Sequence, residues 1–146
     1  MLAAGRDRRK GRDCGKLRTG EGILRMQTIL VVDDEPLIRW AIREGLEGEG
    51  YAVVEAGTAT EALARVREAG PFSVALLDLR LPDCDDLTLL RSLRDTAPGC
   101  RVIMMTAHGT AETLADAIDA GAFGTVAKPF DLSSVVGIVR TAGAAA

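Results

Sequence analysis

The sequence predicts an α/β protein: a doubly wound, five-stranded parallel sheet sandwiched between helical layers. Three observations lead there. From Thr28 onward, apolar runs too short for helices alternate five times with stretches of helical period. The strongest runs are apolar throughout instead of alternating with polar residues, as strands covered on both faces must be. The connections between runs and helices are short, which suits right-handed strand-helix-strand crossovers.

In chain order, the strand runs are Ile29 to Val32, Ala52 to Val54, Val74 to Leu77, Val102 to Met105 and Thr125 to Ala127. The first helix places Ile38, Ala41, Ile42, Gly45 and Leu46 on one stripe, leaves Arg39, Arg43, Glu44 and Glu47 outside it, and closes at Gly48 and Gly50. Thr58-Ala59-Thr60-Glu61 has capping-box spacing, and Ala62, Leu63, Val66 and Ala69 form the inner face of the second helix, which Gly70-Pro71 ends. Leu87, Leu90 and Leu93 mark a third helix stopped by Pro98-Gly99; Leu114, Ala117 and Ile118 mark a fourth stopped by Gly121. Asp131 is the expected N-cap of the last, with Val135, Val136 and Val139 inward.

Length and composition narrow the setting. At 146 residues the chain suits one domain, which at this size buries roughly two-thirds of the unfolded surface without staples. Cys14, Cys84 and Cys100 are odd in number and lack metal-ligand spacing, so a disulfide framework and a zinc site are both disfavoured and a cytoplasmic location is expected. No apolar stretch approaches the ~20 residues that span a bilayer, and no membrane partner is expected. The net charge of -3 hides an asymmetry: residues 1–27 hold eight basic and three acidic side chains, residues 28–146 ten and eighteen. The halves are therefore +5 and -8. Residues 1–27 read as a basic tail without regular structure and 28–146 as the folded domain. Nucleic-acid binding by the folded domain is not expected.

In a doubly wound sheet, ligands bind beyond the carboxyl ends of the strands. There the first run is followed by Asp33-Asp34-Glu35, the third by Asp78, the fourth by Thr106-Ala107-His108 and the fifth by Lys128-Pro129. Asp33, Asp34 and Asp78, packed at a half-buried edge, repel one another unless a cation joins them, and an all-oxygen ligand set suits Mg²⁺. Asp78 would then be a nucleophile toward phosphorus, Lys128 a counter-charge, and Thr106 a hydroxyl donor to phosphoryl oxygens. Each residue alone has a plainer reading: Asp33 or Asp34 before Pro36 as a helix cap, Asp78 as a strand terminator, Thr106 as a strand former, Lys128 as a solvated charge, and His108 as a surface loop residue. Their coincidence at corresponding strand ends is the specific signal.

The segments Val31-Val32-Asp33-Asp34-Glu35-Pro36, Leu76 to Pro82, Met104-Met105-Thr106-Ala107-His108-Gly109 and Lys128-Pro129-Phe130 closely resemble the receiver domain of bacterial two-component response regulators, most like those of enhancer-dependent transcription activators. The resemblance covers about Thr28 to Arg140. It implies a flavodoxin-like sandwich of five strand-helix pairs. It also implies a phosphoryl transfer from a sensor histidine kinase or phosphotransfer protein to Asp78, and Mg²⁺ on Asp33, Asp34, Asp78 and the Arg80 backbone carbonyl. Thr106 and Lys128 take the switch and phosphoryl-binding roles, and the peptide before Pro129 is expected to be cis. Only self-directed phosphotransfer and autodephosphorylation are expected, not turnover of an outside substrate.

Two residues depart from the family pattern. Asp86 stands where glycine is common, which adds charge beside the site and asks an aspartate to take a glycine's backbone conformation. Thr125 stands where an aromatic switch residue is common, so signalling is expected either to run through backbone and loop movement or to be damped. His108 could modulate the lifetime of the phosphoryl group. After the last helix the chain leaves no room for an output domain, so output is expected from a separate protein, a homodimer or a longer parent. An unphosphorylated interaction module, motivated by Asp86 and Thr125, is the alternative. A metal-dependent phosphatase ranks below it, because Asp78-Leu79-Arg80 lacks a second acid two residues on.

Overall fold

Strands that are apolar on both sides need cover on both sides, and this requirement sets the architecture. The computed structural model describes residues 16–19, 22–25, 27–107 and 109–145. Two short strands come first, β1 (Lys16–Thr19) and β2 (Gly22–Arg25). The sheet comprises β3 (Thr28–Val32), β4 (Ala52–Ala56), β5 (Val74–Asp78), β6 (Arg101–Thr106) and β7 (Gly124–Ala127). Between and after them run α1 (Pro36–Gly48), α2 (Ala59–Ala69), α3 (Thr88–Thr96), α4 (Ala111–Asp119) and α5 (Leu132–Ala145).

The strand order is β4-β3-β5-β6-β7, and every pair in it is parallel. Val32 lies beside Leu77, and Asp78 beside Met105, so the strands end nearly level. From β3 the chain first winds outward to β4 and then returns to the other side with β5. The order therefore reverses between β3 and β5, and a crevice opens there at the carboxyl edge. This is the expected five-stranded doubly wound α/β sheet.

Side-chain alternation divides the core in two. Leu30 and Val32, Ala75 and Leu77, and Val102 and Met104 pack with Ala62, Leu90, Leu93 and Ala117, the side covered by α2, α3 and α4. Ile29 and Val31, Val74 and Leu76, and Ile103 and Met105 pack with Ile42, Leu46, Val135 and Val139, the side covered by α1 and α5. Gly45 permits close approach of those two helices, since a Cβ there would lie 2.7 Å from the Leu132 side chain.

The ends follow local rules. Thr58 caps α2 by accepting the Glu61 N–H, while Glu61 reaches back to the Gly57 N–H at 2.6 Å. Gly50 and Gly121 take φ of +96° and +109° just beyond α1 and α4, a backbone region costly for other residues. Two expected inner positions face outward: Ala69 is exposed and Ile118 is about half exposed. Both lie in the last turn of their helices, where the stripe has rotated away from the sheet. Asp131 serves the start of α5 through its main-chain carbonyl, which accepts the Ser134 and Val135 N–H groups.

Within 1–27, which the sequence reading leaves without regular structure, β1 and β2 pair antiparallel from Lys16–Arg25 to Thr19–Gly22. The departure has a local cause: Leu17, Ile23 and Leu24 are residue types that suit strands. Among the described residues this hairpin shares no ladder with the main sheet. The rest of the tail expectation, residues 1–15, falls outside the described residues.

Leu76 is fully buried at the centre of the sheet. Leu76→Ala is expected to lower unfolding free energy by about 2–5 kcal/mol, read from urea titration, and a loss below about 1 kcal/mol would contradict the packing described.

Candidate functional site

Three strand ends and one loop deliver the polar groups to the crevice. Asp33 follows β3 directly, and its N–H donates to the Ala56 carbonyl at 3.1 Å, which keeps the chain in the sheet one residue past the strand. Asp33 is fully buried, and Asp78 and Thr106 are nearly so. They are the buried polar and charged residues among the described ones. A domain that otherwise buries only apolar side chains has concentrated its exceptions at one edge.

Lys128 joins them. Its Nζ donates to Asp33 Oδ2 at 2.7 Å and Asp78 Oδ2 at 3.2 Å, and lies 3.4 Å from Glu35 Oε1. The lysine is aimed by its backbone, because its N–H donates to the Thr106 carbonyl at 2.8 Å. The Lys128–Pro129 peptide is cis, as the resemblance implies. The remaining carboxylate oxygens are bound locally: Asp33 Oδ1 accepts the Glu35 N–H at 2.9 Å, and Asp78 Oδ1 accepts the Arg80 N–H at 3.1 Å.

Electrostatics at the site are unequal. Burial pushes the Asp78 carboxyl above the ordinary aspartate range, and the Asp33 charge adds to the rise, against the Arg80 N–H and Lys128. For Lys128, burial works to lower the pKa, yet the bond to Asp33 and the charges of Asp33 and Asp78 outweigh it and raise the value. The ammonium stays charged and holds two acids that would otherwise repel.

Oxygen atoms of Asp33, Asp34 and Glu35 lie within 4.8 Å of one another, with Asp33 buried and the other two exposed. This donor set is all carboxylate and suits a hard divalent cation. The closest grouping is thus Asp33-Asp34-Glu35, with Asp78 attached through Lys128. Glu35 was not assigned a role from sequence, although its place two residues after Asp33 in the acidic run was the available signal.

Arg39 is a second residue that sequence reasoning left on the outer face of α1. Its guanidinium donates to the Asp33 carbonyl at 2.6 Å and to Glu55 Oε1 at 3.0 Å, and Glu55 also takes Arg43 at 2.7 Å. The acidic loop is thereby tied to the end of β4. Its signal was weak, since a charged residue off the apolar stripe reads as solvated.

The other singled-out residues lie around this centre. Arg80 is exposed in the loop after β5, and Thr125 is half-buried in β7 beside Met104. Asp86 lies two residues before α3: its Oδ1 accepts the Thr88 N–H at 2.9 Å, and the Thr88 hydroxyl and N–H hold its carboxyl below the usual range. His108 falls outside the described residues.

Residues 29–140 match the family model of the response regulator receiver domain. The DNA-binding transcriptional regulator NtrC of Salmonella typhimurium is 36% identical over 114 residues, 78% of this chain and 24% of that protein. The alginate biosynthesis transcriptional regulatory protein AlgB of Pseudomonas aeruginosa is 42% identical over 101 residues, 69% of this chain and 22% of that one. The chain thus spans about a quarter of the length of these relatives. The crystal structure of a CheY-like response regulator receiver domain protein from Methanospirillum hungatei superposes with a TM-score of 0.77 at 32% identity, covering 82% of this chain and 95% of that one.

The upward shift at Asp78 has a sign. Folding penalises its ionised form, so the penalty is absent below the ordinary aspartate value, about 3.9, and fully present above the raised one. In metal-free buffer at pH 7, Asp78→Asn is expected to melt at a higher temperature than the parent, with the gap closing as pH falls toward about 3.9. Equal melting temperatures at pH 7 would contradict this.

Proposed function

The chain belongs to the response regulator receiver domain family of two-component systems, and from this premise we propose a phosphorylation-controlled signalling switch in which Asp78 is the phosphoacceptor. The observation that carries the reading is the ammonium of Lys128 lying within hydrogen-bond distance of both Asp33 and Asp78 at the sheet's switch point. The subgroup likeness read from the motifs, to receivers of enhancer-dependent activators, agrees with the relatives NtrC and AlgB.

A carboxylate oxygen of Asp78 attacks the phosphorus of a phosphohistidine on a sensor kinase or phosphotransfer protein. The new bond is an acyl phosphate, the P–N bond breaks, and the imidazole leaves with a proton. Asp33, Asp34, Asp78 and the Arg80 carbonyl would hold Mg²⁺, with Glu35 a further carboxylate beside Asp33 and Asp34. When bound, the ion supplies neutralisation of the phosphoryl charge. Lys128 exchanges its carboxylate contacts for phosphoryl oxygens, and the Thr106 hydroxyl turns toward them from a strand end it already shares with Lys128 through the 2.8 Å main-chain bond. That movement shifts a pre-existing equilibrium at the surface of α4, β7 and α5. With Thr125 in β7, no aromatic ring takes part at that position.

The partners are a histidine kinase upstream and an output protein, or a second copy of the receiver, downstream. No helix among the described residues is long and apolar enough to cross a membrane, and the reading places the domain in the cytoplasm. Asp86, which motivated an interaction-only module, has a structural task at the start of α3. That leaves Thr125 as the remaining motive for that alternative.

Incubation with Mg²⁺ and acetyl phosphate, followed by intact mass, is expected to add one hydroxylamine-labile phosphoryl group per chain, absent in Asp78→Asn and absent when EDTA removes the Mg²⁺. No added mass would favour the interaction-only module. Steady hydrolysis of a phosphomonoester far beyond one equivalent would favour a phosphatase.

A further inference from the structure

One carboxylate outside the Lys128 cluster reaches across the fold. Asp83 lies at the tip of the loop between β5 and α3. Its Oδ1 accepts the Ala59 N–H at 2.8 Å, and its Oδ2 accepts the Thr60 N–H at 3.0 Å and the Thr60 hydroxyl at 2.9 Å. All three donors belong to the first turn of α2, 23 or 24 residues away in sequence. Thr58, the cap of that helix, takes the Glu61 N–H and leaves the two preceding ones to Asp83. A negative group is favoured at a helix start, and bonds from its free N–H groups are strengthened by the charge.

The loop transmits this anchorage. Leu81 and Cys84 exchange both main-chain bonds, with Leu81 N–H to the Cys84 carbonyl at 2.9 Å and the reverse at 3.2 Å, so Pro82 and Asp83 form a closed two-residue turn. The Leu81 N–H and the Arg80 carbonyl share one peptide plane. In a trans peptide they point in opposite directions, so fixing the N–H on Cys84 also fixes the carbonyl. Upstream, the Arg80 N–H is held by Asp78 Oδ1 at 3.1 Å and the Leu79 N–H by the Met105 carbonyl at 3.0 Å. The segment from Asp78 to Cys84 is therefore pinned to the sheet at one end and to α2 at the other.

We propose that Asp83 is a positioning residue for the cation site, fixing through the Leu81–Cys84 bridge the direction of the Arg80 carbonyl, which the cation reading above makes a ligand. The inference rests on the cation reading above and deepens it. Without the tether the turn keeps its internal bonds and moves as a unit away from α2, and the carbonyl moves with it. Groups that support a metal ligand from behind matter in this way, because an oxygen that must be ordered on binding contributes less than one already in place.

The full chain is compared with Asp83→Ala and Asp83→Asn by calorimetric Mg²⁺ titration and by amide resonances. Both variants remove the same charge, but asparagine keeps one acceptor oxygen, so a difference between them reports the tether. In metal-free Asp83→Ala, exchange at the Ala59 and Thr60 amides is expected to quicken and the Arg80 and Leu81 resonances to move, while those of β3 stay. Mg²⁺ affinity is expected to weaken about 10-fold in Asp83→Ala and less in Asp83→Asn. Unchanged affinity in Asp83→Ala, or equal losses in the two variants, overturns the positioning role. If Asp83→Ala does not fold, the same comparison is made between the parent and Asp83→Asn, where an unchanged affinity and unmoved Arg80 resonance overturn it. A parent chain that binds no Mg²⁺ overturns the cation reading itself, which separates that failure from one confined to Asp83.

Discussion

Everything at the carboxyl edge depends on one ammonium shared between two acids. Asp33 and Asp78 come from strands that lie side by side, and both are removed from water. Without a positive partner the two charges would repel, and burial of two like charges would cost several kcal/mol per ion. Lys128 arrives from the end of β7, two strands away, with its backbone clamped to Thr106. With this one ammonium among four carboxylates the edge remains negative overall, and Asp34 and Glu35 lie on its exposed side. An all-carboxylate rim of this kind suits a hard divalent cation.

The scaffold makes this placement dependable. Each central strand contributes alternate residues to two separate cores, so a slip of one residue would exchange both sets at once. Level strand ends then put chemistry from positions 33, 78, 106 and 128 at one depth. Loop carboxylates extend the same economy: Asp83 and Asp86, both in the loop that follows Asp78, accept N–H groups at the starts of α2 and α3. Arg39 does the corresponding task on the β3 side through the Asp33 carbonyl.

Much of this was legible in the sequence because burial leaves a strong imprint. Ile29 to Val32 and Val102 to Met105 have no polar residue to spare, and Gly50, Gly70-Pro71 and Gly121 punctuate the helices where the chain needs them. The acids and the lysine stood out because charge directly after an apolar run is expensive unless it is used. What was not legible depended on long-range contact. Asp83 was not singled out in the sequence, and only its bonds to the first turn of α2 reveal it as a tether. Arg39 carries no mark in the helical pattern that separates it from Arg43. Asp86 drew notice as a departure from glycine, whereas its bond to Thr88 depends on where α3 begins. The hairpin of β1 and β2 was masked by the basic composition around it.

The most direct test of the shared ammonium is a double-mutant cycle on metal-free protein, with Asp33→Asn, Lys128→Met and the two combined, read as unfolding free energies in urea at pH 7. The account predicts that the two changes fail to add by about 1 kcal/mol or more, since Lys128→Met leaves Asp33 buried without its cation and Asp33→Asn takes from Lys128 its shortest ion pair. Additivity within about 0.3 kcal/mol would mean that residues 33 and 128 do not meet in solution, and would contradict it.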